Sequence, residues 1–130
     1  MRIRINITSV LVDDQAKALA FYTDKLGFEL KHDVPAGEAR WLTLTSPGDP
    51  DGVELPLEPD ANFGAPEFKS TLKSAGVPYT QFQVDDVQEA FDELREKGVE
   101  FTMEPTNAGP VSIVVLDDTC GNLIQLISEN

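Results

Sequence analysis

The single histidine and the single cysteine are the first residues to weigh for chemistry. His32 lies in FELKHDV, and an imidazole can serve as a pocket acid or base because it titrates near neutrality. The simpler reading, taken here, is a residue at a strand end that touches solvent. Cys120 would have to ionise to act as a nucleophile or redox sensor. It has no basic neighbour in sequence, and Asp117 and Asp118 beside it oppose a thiolate, so it reads as a turn residue. The acidic clusters SPGDPDG and LEPD lack the regular oxygen-ligand spacing of a calcium loop. They read as solvated turns.

Composition narrows the function classes. The chain has 130 residues, in the range of one domain, and 41% of them are hydrophobic. A chain of this length buries roughly two-thirds of its unfolded surface, so it needs no disulfide or metal to fold. One cysteine forbids an intrachain disulfide and fits a reducing cytoplasm. Ten basic against 23 acidic residues give a formal net charge of −13. That balance repels a phosphate backbone, so nucleic acid is excluded as the expected partner. It would attract cationic ligands. No apolar run approaches the roughly 20 residues of a membrane span, and MRIRINITSV alternates like a strand, not a secretion signal.

The elements that must position any site repeat. Residues 12–30 read VDDQAKALAFYTDKLGFEL and residues 84–101 read VDDVQEAFDELREKGVEF. Val12-Asp13-Asp14 aligns with Val84-Asp85-Asp86; Ala18 then matches Ala90 and Lys25 matches Lys97. After one deleted residue, Gly27 matches Gly98. The aspartates suit a helix start, where they accept from free N–H groups and face the positive end of the dipole. Ala18, Leu19, Tyr22 and Leu26 fall on one helical face, as do Val87, Ala90, Phe91 and Leu94. Gly27 and Gly98 end the helices. Alternation predicts a strand over Ile3, Ile5 and Ile7 before the first helix, and one over Tyr79–Val84 before the second. Strands follow the first helix at Phe28–Lys31, Ala39–Thr45 and Val53–Leu57. After the second they fall at Val99–Met103, Val111–Leu116 and Leu123–Ile127, the last two separated by the polar turn DDTCGN. Pro66–Ala75 reads as a connecting helix. The expected organisation is one α+β domain of two βαβββ modules, residues 1–60 and 78–130, joined by a linker over 61–77.

With VDDQAKALAFYTDKLGFEL, VELPLEP, FQVDDVQEAFDELREKGVEF and DDTCGNLIQLI in place, the chain resembles the vicinal oxygen chelate superfamily. That superfamily includes glyoxalase I, bleomycin-resistance proteins and extradiol dioxygenases. The resemblance implies that the modules curl into a half-open mixed β-barrel, a cup. Its enzymes usually hold a divalent metal there. Carried onto this chain, the four ligand positions fall on Ile7, Glu54, Tyr79 and Gln125. Ile7 has no donor atom, Gln125 offers only a neutral carbonyl, and Tyr79 would have to ionise. A catalytic metal of the zinc type takes about three ligands from His, Cys, Asp and Glu. No metal cofactor is therefore expected. The resemblance also implies a homodimer.

Alternation then assigns the rest of the cup. Ile7, Ser9 and Leu11 face it from the first strand, Tyr79, Gln81 and Gln83 from the fifth, with Leu123 and Ile127 beside Gln125. For Ala39–Thr45 the sequence leaves open whether Arg40-Leu42-Leu44 or Trp41-Thr43-Thr45 faces inward. Trp41 and Tyr79 could stack on a flat ligand. Glu54 is the candidate for proton transfer, against a structural role in which it pairs with Gln125 or Tyr79. The expected function is binding of a small organic ligand without a metal. The alternative is a lyase or dioxygenase of the glyoxalase or extradiol type, with Glu54 as acid–base or as part of an atypical metal site.

Overall fold

Each half of the chain is organised around an aspartate that starts a helix. In this computed structural model, which describes residues 1–130, Asp14 caps α1 (Gln15–Ala20) and Asp86 caps α3 (Val87–Glu96). Their carboxylates accept from the backbone N–H of Lys17 at 3.0 Å and Glu89 at 3.1 Å. Each bond satisfies a donor that a helix start leaves unpaired. The helices stop at Gly27 (φ +82°) and Gly98 (φ +86°), in the left-handed region where a side chain would be strained.

The one-residue mismatch between the copies has a structural cause. α1 runs into a π-helical turn, Phe21–Lys25, in which the Leu26 N–H reaches the Phe21 carbonyl at 3.3 Å. A π turn absorbs one extra residue. It also alters the expected buried face. Phe21 and Tyr22 are both buried, with their rings edge to face at 5.6 Å, while Leu19 and Leu26 are only half-buried.

The chain divides into two compact units, residues 1–65 and 66–130. In the first, β1 (Val10–Val12), β2 (Glu29–Ala36), β3 (Ala39–Thr45) and β4 (Leu55–Pro59) form a mixed sheet in the order β1-β4-β3-β2. β1 runs parallel to β4 and the other pairs are antiparallel. In the second, β5 (Thr80–Gln83), β6 (Phe101–Asn107), β7 (Val111–Asp117) and β8 (Leu123–Glu129) repeat this as β5-β8-β7-β6. The first core collects Val10, Val12, Ala18, Tyr22, Leu42, Leu44 and Leu57. The second collects Val87, Phe91, Leu94, Val114, Leu116, Ile124 and Leu126, with Phe91 and Phe101 edge to face at 4.7 Å. No helix is long and apolar enough to cross a membrane.

One expectation needs correction. The strand expected over Ile3–Ile7 shrinks to a single bridge between Ile7 and Glu54, because β4 begins at Leu55 and offers earlier residues no partner. The expected connecting helix is α2 (Ala65–Ser74), which makes contacts within residues 66–130. Its Lys69 is buried and donates to the Cys120 carbonyl at 2.6 Å, and Lys73 pairs with Asp117 at 3.2 Å.

Candidate functional site

Register decides which side chains share a face in the first unit. Ile7 opposes Glu54 and Val10 opposes Leu57, so Ile7, Ser9 and Leu11 lie on the Glu54 side while Val10 and Val12 enter the core. Thr43 opposes Pro56, which places Trp41, Thr43 and Thr45 on that same side. Leu42 and Leu44 turn into the core. The choice left open by alternation in β3 is thereby made: Trp41-Thr43-Thr45 accompany Glu54.

His32 joins this face through a bulge. Leu30 opposes Leu44, yet His32 opposes Thr43, with Lys31 as the extra residue between them. Without the bulge His32 would oppose Leu42 and point to the core side. His32 is not the strand-end residue that sequence suggests. It sits within β2, half-exposed, with Nε2 3.6 Å from Glu54 Oε1. That separation is too long for a hydrogen bond, and it becomes an ion pair only when the imidazole is protonated. Thr43 Oγ1 donates to the same carboxylate oxygen at 2.9 Å. The other oxygen, Oε2, lies 3.9 Å from Lys31 Nζ, which makes its closer bond to the Pro50 carbonyl at 2.8 Å. Glu54 is thus a partly exposed carboxylate, steadied by one hydroxyl and flanked by two basic groups. Chemically it can accept a hydrogen bond from a ligand, balance a positive charge, or take a proton.

Nearby, Arg40 forks onto Asp33 across the β2–β3 pair, through Nε at 3.0 Å and Nη2 at 2.6 Å. The guanidinium hydrogen bonds hold the Asp33 carboxyl below its usual range.

In the second unit Gln81 opposes Gln125, and Gln125 Nε2 donates to Gln81 Oε1 at 2.9 Å. Tyr79 is half-buried; its ring meets Phe68 of α2 edge to face at 6.3 Å, and its N–H donates to the Leu123 carbonyl at 2.8 Å. Of the positions carried over by resemblance, Ile7 and Glu54 share a bridge in one unit, while in the other Tyr79 bonds Leu123 and Gln125 bonds Gln81.

Cys120 lies in the expected turn, but not in the solvated setting that a polar turn suggests. It is fully buried, and a basic group does reach it, since Lys69 binds its carbonyl. The DDTCGN segment is a buried hydrogen-bonded turn: Asp118 accepts from the backbone of Cys120 at 2.7 Å and of Asn122 at 3.0 Å, and from the Asn122 amide at 2.9 Å.

A repeated βαβββ unit with an aspartate cap, a glycine stop and a β1-β4-β3-β2 sheet defines the class. The chain belongs to the Glyoxalase/Bleomycin resistance protein/Dioxygenase superfamily, whose family model matches residues 4–126. It is 53% identical to YurT of Bacillus subtilis over 126 residues, covering 97% of this chain and 99% of that one. Among solved structures it resembles UcmS2 at 30% identity and a TM-score of 0.85, covering 99% and 100% of the two chains. It also resembles TnmS3, an antibiotic binding protein from Streptomyces sp. CB03234, at 26% identity and a TM-score of 0.75, covering 99% and 98%.

The positions that the resemblance assigns to a divalent metal are Ile7, Glu54, Tyr79 and Gln125. Of the first unit's pair, Ile7 carries no donor and Glu54 one carboxylate. No group of three or more His, Cys, Asp or Glu side chains stands close enough to hold an ion.

Proposed function

We propose that this chain binds a small organic molecule on the Glu54 face of its first unit, without a resident divalent metal. The observation that carries the reading is the Glu54 carboxylate held by Thr43 and flanked by His32 and Lys31 on a face that also carries Ile7, Ser9 and Trp41. Such a face offers apolar area, one aromatic ring and a few oriented polar groups, the usual makings of a small-molecule site. Trp41 is 37% exposed and Ile7 40%, so both present surface to a ligand. A carboxylate on the same face as an indole, on a chain of net charge −13, favours a flat cationic ligand. Similarity to TnmS3 supports binding. In the second unit, Tyr79, Gln81 and Gln125 are proposed to offer ring and amide contacts. We further propose that the protein acts in the cytoplasm as a pair of identical chains.

The test is a thermal-shift screen of the purified protein with cationic aromatic drugs and with hemithioacetals of α-oxoaldehydes, each repeated on Glu54→Gln. Stabilisation by a cationic drug, lost on Glu54→Gln and without chemical change of the drug, is the expected result. Turnover of a hemithioacetal that disappears on Glu54→Gln would instead make the chain an enzyme. One ion per chain surviving dialysis and lost on Glu54→Ala would overturn the metal-free reading.

A further inference from the structure

β3 and β4 pair directly only over Thr43–Leu44 and Leu55–Pro56. Beyond that point the Gln15 side chain joins them, its amide donating to the Arg40 and Leu57 carbonyls at 2.8 Å each. The next residues along the two strands are Trp41 and Glu58, one on each lip of the gap. Both lie on the Glu54 side, since Glu58 is an even number of residues along from Glu54 and opposes Leu11. Trp41 is exposed and Glu58 half-buried. The Glu58 carboxylate forms no hydrogen bond and no ion pair.

The two carboxylates of this face keep different company. Glu54 accepts from Thr43 and has His32 at 3.6 Å and Lys31 at 3.9 Å. A cation brought there meets the Lys31 ammonium. Glu58 offers an uncompensated charge across from an indole, the ring that attracts cations most strongly. The Glu54 end has spare hydrogen-bonding capacity instead. Thr45 is 2% exposed, its hydroxyl makes no hydrogen bond, and the β3–β4 register, continued by one residue, sets it across from Glu54. A buried hydroxyl of this kind calls for a partner.

We infer that the ligand lies along β4, with a cationic aromatic head between Trp41 and Glu58 and an uncharged hydroxyl or carbonyl tail at Glu54 and Thr45. This rests on the reading of the Glu54 face as a small-molecule site and adds the direction in which the molecule lies. At about 3.3 Å per strand residue the two ends stand about 13 Å apart. The ligand class is therefore an elongated aromatic monocation whose polar oxygen is remote from its charge. Glu58 selects the charge. Glu54 and Thr45 select the oxygen, which can accept from the Thr45 hydroxyl or, as a hydroxyl itself, donate to the carboxylate.

Trp41 is the single tryptophan, so quenching of its fluorescence reads occupancy of the head end directly. The probes are N-methylquinolinium, N-octylquinolinium and the ω-hydroxy form of the octyl compound. Each is titrated into the native chain, Glu58→Gln, Glu54→Gln and Thr45→Val, with far-UV circular dichroism confirming the fold of each variant. N-methylquinolinium quenches the native chain, binds about tenfold more weakly to Glu58→Gln, and binds Glu54→Gln as it does the native chain. The terminal hydroxyl strengthens the octyl probe by about fivefold. That gain is kept in Glu58→Gln and lost in Glu54→Gln and Thr45→Val; should the buried valine upset folding, Glu54→Gln gives the same reading alone. A loss of N-methylquinolinium affinity in Glu54→Gln equal to or greater than that in Glu58→Gln puts the charge at Glu54. It overturns the orientation and leaves the site standing. A hydroxyl that adds nothing overturns the tail assignment. Trp41 fluorescence indifferent to every probe overturns the orientation and the small-molecule site together.

Discussion

At the residue scale, Glu54 and His32 meet because β2 contains one residue more than its partner strand. Glu54 and its neighbour Ile7 were legible in sequence, through resemblance and period-two alternation. His32 was not, since a bulge has no sequence period and shifts every later side chain to the opposite face. Asp33, the next residue, shows how strongly local pairing sets charge here. The Arg40 fork lowers its pKa from the ordinary 3.8. A lowered carboxylate pKa means a stabilising contribution that is complete above the unfolded value and is lost as pH falls through the folded one. The window is therefore acidic, beginning below 3.8. Titration of the Asp33 carboxyl by carbon NMR is expected to show a midpoint below 3.8 that returns toward that value in Arg40→Gln. An unchanged midpoint in the variant would dismiss the guanidinium as the cause.

At the element scale, sequence was informative wherever a residue type answers a geometric demand. Asp14 and Asp86 satisfy helix starts, and Gly27 and Gly98 take positive φ; both demands recur in each half and were readable. The π turn was visible only as a one-residue misalignment, and the first strand was overextended because alternation says nothing about where a partner ends. Gln15 illustrates a contact between elements that pattern could not reveal. Its amide donates to the carbonyls of Arg40 and Leu57 at 2.8 Å each, and its oxygen accepts from the Arg40 N–H at 3.0 Å. β3 and β4 pair only over Thr43–Leu44 and Leu55–Pro56, so this side chain from α1 bridges the strands where they have splayed apart. Gln15→Ala leaves three backbone groups without that partner and is expected to lower unfolding free energy by about 1–3 kcal/mol. Urea unfolding should show a lower midpoint at unchanged slope. Native stability in the variant would mean that water replaces the amide at no cost.

At the scale of the whole molecule, the net charge of −13 acts on both stability and recognition. Folding gathers 23 carboxylates that the unfolded chain keeps farther apart, so the native state carries self-repulsion. Salt screens it, the Debye length falling from about 30 Å at 10 mM to about 3 Å at 1 M. The melting temperature is therefore expected to rise across that range of NaCl, and to rise more than in sucrose of equal osmolality, which strengthens burial without screening charge. The same screening should weaken binding of a cationic aromatic probe, because long-range attraction toward Glu54 and the acidic surface is removed. Stability and affinity must then move in opposite directions with one variable. Differential scanning fluorimetry with and without the probe reads both in a single series. A melting temperature indifferent to NaCl would place the carboxylates too far apart to repel. A probe whose affinity ignores salt would place its recognition in Trp41 and the apolar residues of that face rather than in the charge.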